Sequence, residues 1–166
     1  DAPDPAYATL LASNGARHVV LSSTGATLYL GTTPPDTEAD AFPNAGAVGD
    51  DGAAADDEDG VTLPDFARGA TSNITFVVTG NGGVLNAWLD WNRDGDWADA
   101  GEQIATNLIA SAGTQVLSVR APAIVSAGSS FARFRLSTQN GLTPTGQAPD
   151  GEVEDYAVTI LPNTAP

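Results

Sequence analysis

Over the C-terminal two thirds of the chain, apolar and polar positions alternate at period two, the spacing of strands that bury one face. Within residues 72–79, Ile74, Phe76 and Val78 fall on one side, and Asn81-Gly82-Gly83 follows as turn chemistry. Leu85, Ala87, Leu89 and Trp91 then share a face, opposite Val84, Asn86, Trp88 and Asp90. Ile104 fits either a strand or the end of the loop that precedes it. Residues 115–121 place Leu117 and Val119 inward and stop at Pro122. Residues 131–137 set Ala132, Phe134 and Leu136 against Arg133 and Arg135, and Tyr156, Val158 and Ile160 form the inward face of a last strand before Pro162. No amphipathic helical period appears. Short strands punctuated by turns predict an all-β fold, an antiparallel β-sandwich.

The N-terminal part is patterned differently. Residues 1–16 read as an extended leader whose Tyr7 and Leu10 or Leu11 pack onto the body. Residues 17–21 and 27–30 are β-prone runs around Ser22-Ser23-Thr24-Gly25, which has the look of a hairpin turn. Residues 31–60 are rich in Gly, Ala, Pro and acid, with clusters at Glu38/Asp40, Asp50/Asp51 and Asp56-Asp57-Glu58-Asp59-Gly60. A structureless stretch of that length is either functional or disordered. It reads equally as a loop ordered by a cation, with Asp56, Asp57 and Asp59 as ligands, and as an acidic linker. The expected division is a long acidic, loop-rich segment over 1–64 packed on the body, a sandwich core over 65–161, and the start of a linker at 162–166.

Charge sharpens this picture. Six basic residues, all Arg, oppose 21 acidic ones, for a net charge of −15. Such a field repels nucleic acid and anionic membrane surfaces and attracts divalent cations. Charged residues are only 16% of the chain, below the roughly 25% usual for soluble domains, so the acid is concentrated. The chain lacks cysteine, which removes disulfides and thiolate ligation. It has no apolar run long enough for membrane insertion. His18 is the single histidine; one imidazole cannot build the usual zinc site, and a structural, hydrogen-bonded role is expected. An acidic chain without lysine or cysteine suits an exported bacterial protein held by metal.

The strongest chemical signal is Asp90-Trp91-Asn92-Arg93-Asp94-Gly95-Asp96-Trp97, continuing to Asp99 and Glu102. Oxygen side chains at alternate positions around one glycine suit calcium, which takes six to eight oxygens at about 2.3–2.6 Å. D-x-[DN]-x-[DN]-G is the first half of an EF-hand loop. The twelfth position is Gly101, with the carboxylate one later, and a strand rather than a helix precedes the loop. The expected ligands are Asp90, Asn92, Asp94, Asp96 through its carbonyl, and Glu102, with Asp99 as the alternative to Glu102. A second focus, Asp150, Glu152, Glu154 and Asp155, packs four carboxylates at the mouth of the last strand. Calcium is one way to relieve their repulsion, and cross-strand pairing with Arg133 and Arg135 is the other.

Gly151-Glu152-Val153-Glu154-Asp155-Tyr156 also resembles the signature of the GEVED domain, a β-rich module of large secreted or surface-anchored bacterial proteins. Residues 89–97, Gly101-Glu102-Gln103-Ile104, Arg133-Phe134-Arg135-Leu136-Ser137 and Pro144-Thr145-Gly146 fit the same pattern, over residues 72–161. Upstream, Asp1-Ala2-Pro3-Asp4, Asn14-Gly15-Ala16-Arg17-His18, Leu28-Tyr29-Leu30-Gly31 and residues 56–61 resemble the segment that often precedes this domain, with Pro5 where Ser is expected. The resemblance implies extracellular placement, a modular parent protein and calcium, and carries over no catalytic residues. The expected function is a calcium-binding module for adhesion or ligand binding, monomeric within a larger chain, with a glycan or cell-surface ligand as partner. A carbohydrate-binding module using Trp88 and Trp97 beside the calcium loop is the alternative. A glycosidase with paired carboxylates ranks last, because no one pair among the many is flanked in sequence by an apolar pocket that would raise a pKa, and no G-x-S-x-G, HExxH, cysteine nucleophile or phosphate loop points to another enzyme class.

Overall fold

A computed structural model describes residues 1–20, 27–49, 57 and 59–162. The turn expected at 22–25, the acids Asp50, Asp51, Asp56 and Glu58, and the tail at 163–166 lie outside the described residues. The strands are β1 (Arg17–His18), β2 (Tyr29–Leu30), β3 (Val61–Thr62), β4 (Phe66–Ala67), β5 (Thr71–Thr79), β6 (Gly83–Leu89), β7 (Gln103–Ala110), β8 (Gly113–Arg120), β9 (Gly128–Ser137), β10 (Gln147–Ala148) and β11 (Glu152–Leu161). The one helical piece among the described residues is a 3-10 turn at Leu11–Ser13.

Two sheets face each other, as the alternation predicts. One runs β4-β11-β9-β6-β7. In the other, β5 pairs with β8 along one edge and with β2 and β3 along the opposite edge. The core between them holds Ile74, Phe76 and Val78 of β5, Leu85, Ala87 and Leu89 of β6, Phe134 and Leu136 of β9, and Val158 and Ile160 of β11. Burial of such side chains, worth about 1.5–3 kcal/mol each, is the main stabilising term. The long ladders are antiparallel. Two-residue parallel pairings join β11 to β4 and β1 to β10.

Among the described residues, the runs at 17–20 and 27–30 do not pair with each other. β1 pairs with β10 and β2 with β5, so each run completes a different sheet. Because β2 and β3 are strands of the sandwich, the N-terminal segment is built into the body. Tyr7 packs inward as expected, Leu10 is half-buried and Leu11 is exposed. Ile104 belongs to β7.

The outer face of the five-stranded sheet is covered as well. Trp88 and Asp90 from the end of β6, and Arg133 and Arg135 of β9, point away from the main core yet are buried. Residues 1–18 and 143–148 lie over them as a third layer. Arg133 donates to the Ala8 and Pro144 carbonyls, and Arg135 to those of Arg17, Thr143, Thr145 and Gly146.

Candidate metal centre

The loop after β6 is shaped by its own side chains. Asp90 is fully buried; its Oδ1 accepts the Arg93 N–H at 2.5 Å, and its Oδ2 accepts the Gly95 N–H at 3.1 Å. Asn92 Oδ1 then accepts the Asp94 N–H at 2.9 Å, Asp94 Oδ1 the Asp96 N–H at 3.3 Å, and Asp96 Oδ1 the Ala98 N–H at 2.8 Å. Asn92, Asp94 and Asp96 thus each cap the backbone two residues on, while Asp90 reaches three and five residues on, the local bonding that Asp and Asn offer in turns. Gly95 sits at φ +96°, where a side chain would be strained. At the far end, Glu102 Oε1 accepts the Trp91 N–H at 3.0 Å and its Oε2 the Asp99 N–H at 3.3 Å. Burial is the main cause that pushes the Glu102 carboxyl up to about 7, against the opposing backbone hydrogen bonds.

This wrapping gathers Asp94, Asp96 and Asp99 on the exposed side, each offering a carboxylate oxygen within 4.8 Å of the others. Ligands on opposite sides of a calcium ion, each about 2.4 Å away, stand that far apart. Asn92 Nδ2 joins the cluster through Asp94 Oδ2 at 3.0 Å and Asp99 Oδ2 at 2.6 Å. The expected ligand set therefore divides. Asp94, Asp96 and Asp99 converge through their side chains, with Asn92 beside them. Asp90 and Glu102 are interior, their oxygens taken by the N–H groups of the loop they hold closed.

Tyr7 locks the loop to the N-terminal layer. Its hydroxyl donates to Asp90 Oδ2 at 2.7 Å, and burial, then Asp90, pushes the phenol well above its ordinary range. No local signal could reveal a bond spanning 83 positions. A hydrogen bond to a charged group contributes about 1.5–3 kcal/mol. Tyr7→Phe should therefore lower stability by about 1.5–3 kcal/mol in urea unfolding with an unchanged m value; a change below about 0.5 kcal/mol would remove the bond from consideration.

The carboxylates of the last strand do not converge. β11 sends Glu152 and Glu154 to the face between the sheets and Asp155 to the outer face. Asp155 makes a paired contact with Arg133, Nε–Oδ1 and Nη2–Oδ2 both 2.6 Å, and accepts the Ala2 N–H at 2.8 Å. The Arg133 charge holds Asp155 below the usual carboxylate range although burial opposes it. Asp150 accepts Ser137 Oγ at 2.6 Å and the Thr138 N–H at 2.8 Å, and it too lies below that range. Glu152 accepts the Leu30 N–H at 2.6 Å; Glu154 accepts the Gly60 N–H at 2.9 Å and the Tyr156 hydroxyl at 3.1 Å. Asp59 is held by the Thr32 N–H and the Thr32 and Thr33 hydroxyls, while Asp57 accepts the Asp36 N–H. The pairing expected between this cluster and both arginines is realised only at Arg133.

Arg135 binds no carboxylate. Its donors go to backbone carbonyls and, at 3.1 Å, to His18 Nε2, whose Nδ1 lies 2.6 Å from the Asp150 carbonyl. Burial, then the Arg135 charge, pushes the His18 imidazole down to about 3. The histidine is neutral and structural, donating through Nδ1 and accepting through Nε2.

Trp88 and Trp97 offer no sugar platform here. They are 3% and 6% exposed and pack with Ala2, Tyr7 and Phe131 in a second apolar cluster. Trp97 lies 4.8 Å from the Tyr7 ring and 4.5 Å from the Arg133 guanidinium carbon, so its faces are occupied. Trp91 is buried in the main core, edge-on to Phe66. Both strand faces are interior because the N-terminal layer covers the second one.

Residues 84–159 match the family model of the GEVED domain. No curated protein and no solved structure matches the chain.

Proposed function

The chain carries a GEVED domain over residues 84–159, and from that premise we propose that it is a calcium-binding extracellular module of a modular bacterial surface protein, serving adhesion or ligand binding and not catalysis. The observation that carries the reading is the convergence of Asp94, Asp96 and Asp99 within 4.8 Å on an exposed loop. Calcium is held by these three carboxylates, with Asn92 beside them bracing Asp94 and Asp99 through Nδ2, while Asp90 and Glu102 keep the loop's ends closed. The high negative charge supports a cation partner, and calcium is abundant outside the cell.

An ion bound only by the folded state adds about 2.7 kcal/mol at a hundredfold excess over Kd. For a chain of this size that raises the melting midpoint by about 5–10 °C. The test is a melt of EDTA-treated protein with and without millimolar calcium, with magnesium as control. A calcium-specific rise that disappears in Asp94→Ala is expected. An unchanged midpoint together with no calcorimetric heat on calcium addition would refute the reading.

A further inference from the structure

Apart from the 90–102 loop, a cavity of about 280 Å³ opens between the N-terminal segment and the start of β11. Its wall carries Asp36, Glu38, Asp40 and Asp57, and Glu152 also lines it. Glu152 is 4% exposed. Its Oε2 is held by the Leu30 N–H, and its Oε1 accepts no hydrogen bond from the described residues. Arg17 is on the wall too, but its Nη1 donates to Asn14 Oδ1 and the Gly15 carbonyl. A buried carboxylate without a counter-charge is costly. Burial first, then the Glu154 charge, pushes the Glu152 carboxyl up to about 10, as expected of an acid that no cation compensates.

We propose that this cavity binds an alkylammonium group, of the size of a lysine side chain or a short diamine, with Glu152 as its anchor. A divalent ion suits the cavity less well. Among the described residues, the three-carboxylate set with oxygens within 4.8 Å of one another is Asp94, Asp96 and Asp99, and no three of the cavity's described acids form such a set. An ammonium offers three N–H donors and needs no closed shell of oxygens. Its stem matches apolar side chains of the lining, among them Leu11 and Pro35.

The inference does not depend on the calcium loop, and its test is run in saturating calcium. The chain is titrated with 1,5-diaminopentane, with Nα-acetyl-lysine amide, and with 1,5-pentanediol as the uncharged control, following backbone amide shifts at Gly151 to Val153. Saturable shifts with the diamine, and at least tenfold weaker binding in Glu152→Gln, are expected. Gln keeps an acceptor for the Leu30 N–H, and Glu38→Gln on the exposed wall gives a second variant that leaves the core untouched. A response to the capped lysine as well assigns the site to a side chain, and a response to the diamine alone assigns it to a free amine. No saturable shift with either amine, equal response to the diol, or unchanged affinity in both variants would overturn the proposal.

Discussion

Asp155→Leu should destabilise the fold by about 3–5 kcal/mol, because it strands a buried arginine. Arg133 is fully buried, and Asp155 takes two of its N–H groups at 2.6 Å each. Removing the carboxylate leaves a charge that water cannot reach. Arg133→Met should also be costly, since the Ala8 and Pro144 carbonyls lose a donor and Trp97 loses the guanidinium on its face. The double variant should be less destabilised than the two singles together by more than about 1 kcal/mol, the coupling expected of residues in one network. Recovery stays partial, because the orphaned carbonyls remain. Urea unfolding of all four proteins measures the cycle, and additivity within about 0.5 kcal/mol would show that the pair is not coupled. The pair is also where three layers meet. Through Ala2, Ala8 and Pro144 it fixes the N-terminal segment and the 143–148 loop to β9, and that layer in turn supplies Tyr7 to the 90–102 loop.

That third layer marks how far the sequence can be read. Period two identifies Ile74, Phe76, Val78, Phe134 and Leu136 as one core face, and they are buried together. The same period says that Arg133 and Arg135 face the other way, but not what covers them. Their partners are up to 125 positions distant and are mostly backbone carbonyls, which leave no trace in side-chain pattern. The 90–102 loop is legible because its bonds are local, with Asn92, Asp94 and Asp96 capping the backbone two residues ahead and Asp90 three and five ahead. Its ligand roles were less so, since spacing cannot separate a carboxylate that binds metal from one that holds the loop shut. In the Glu152 to Asp155 stretch, strand parity alone already parts Asp155 from Glu152 and Glu154; closeness in number hides this. β7 is only hinted at by Ile104, because extra residues on β7 itself, between Leu108 and Ala105 and between Ala105 and Gln103, shift its register against β6 and break its alternation.

Above pH 6.5, stability should fall as pH rises in buffer free of amines and divalent ions, with Glu152 and Glu154 setting the slope. Burial is the leading cause for both, and it holds Glu154 up at about 8 and Glu152 at about 10. The unfolded chain releases these protons near pH 4.3, the usual glutamate value. Between those limits the folded state binds more protons than the unfolded one. The stabilisation these groups supply is therefore complete below about pH 4.3 and is lost as pH climbs toward the folded values. Other groups act lower on the scale. His18, held down to about 3, raises stability between that value and its unfolded one near 6.5, and Asp150 and Asp155 lose their contribution only in acid. Each glutamate can cost at most about 1.4 kcal/mol per pH unit. Glu154→Gln, which keeps an acceptor for the Gly60 N–H, and Glu152→Gln, which keeps one for the Leu30 N–H, should each flatten the profile above pH 6.5, since the two carboxyls titrate as a pair. Urea midpoints across that range measure it; a wild-type profile that is level or rising would mean that both carboxylates are ionised in the fold. Leu30 and Gly60 are the two backbone donors held by this pair; charging it strengthens those bonds, but desolvation and carboxylate repulsion outweigh them, and the net loss falls where β11 meets β2 and β3. An ammonium seated at Glu152 would oppose that loss, so the diamine should raise the midpoint more at pH 8 than at pH 6.5.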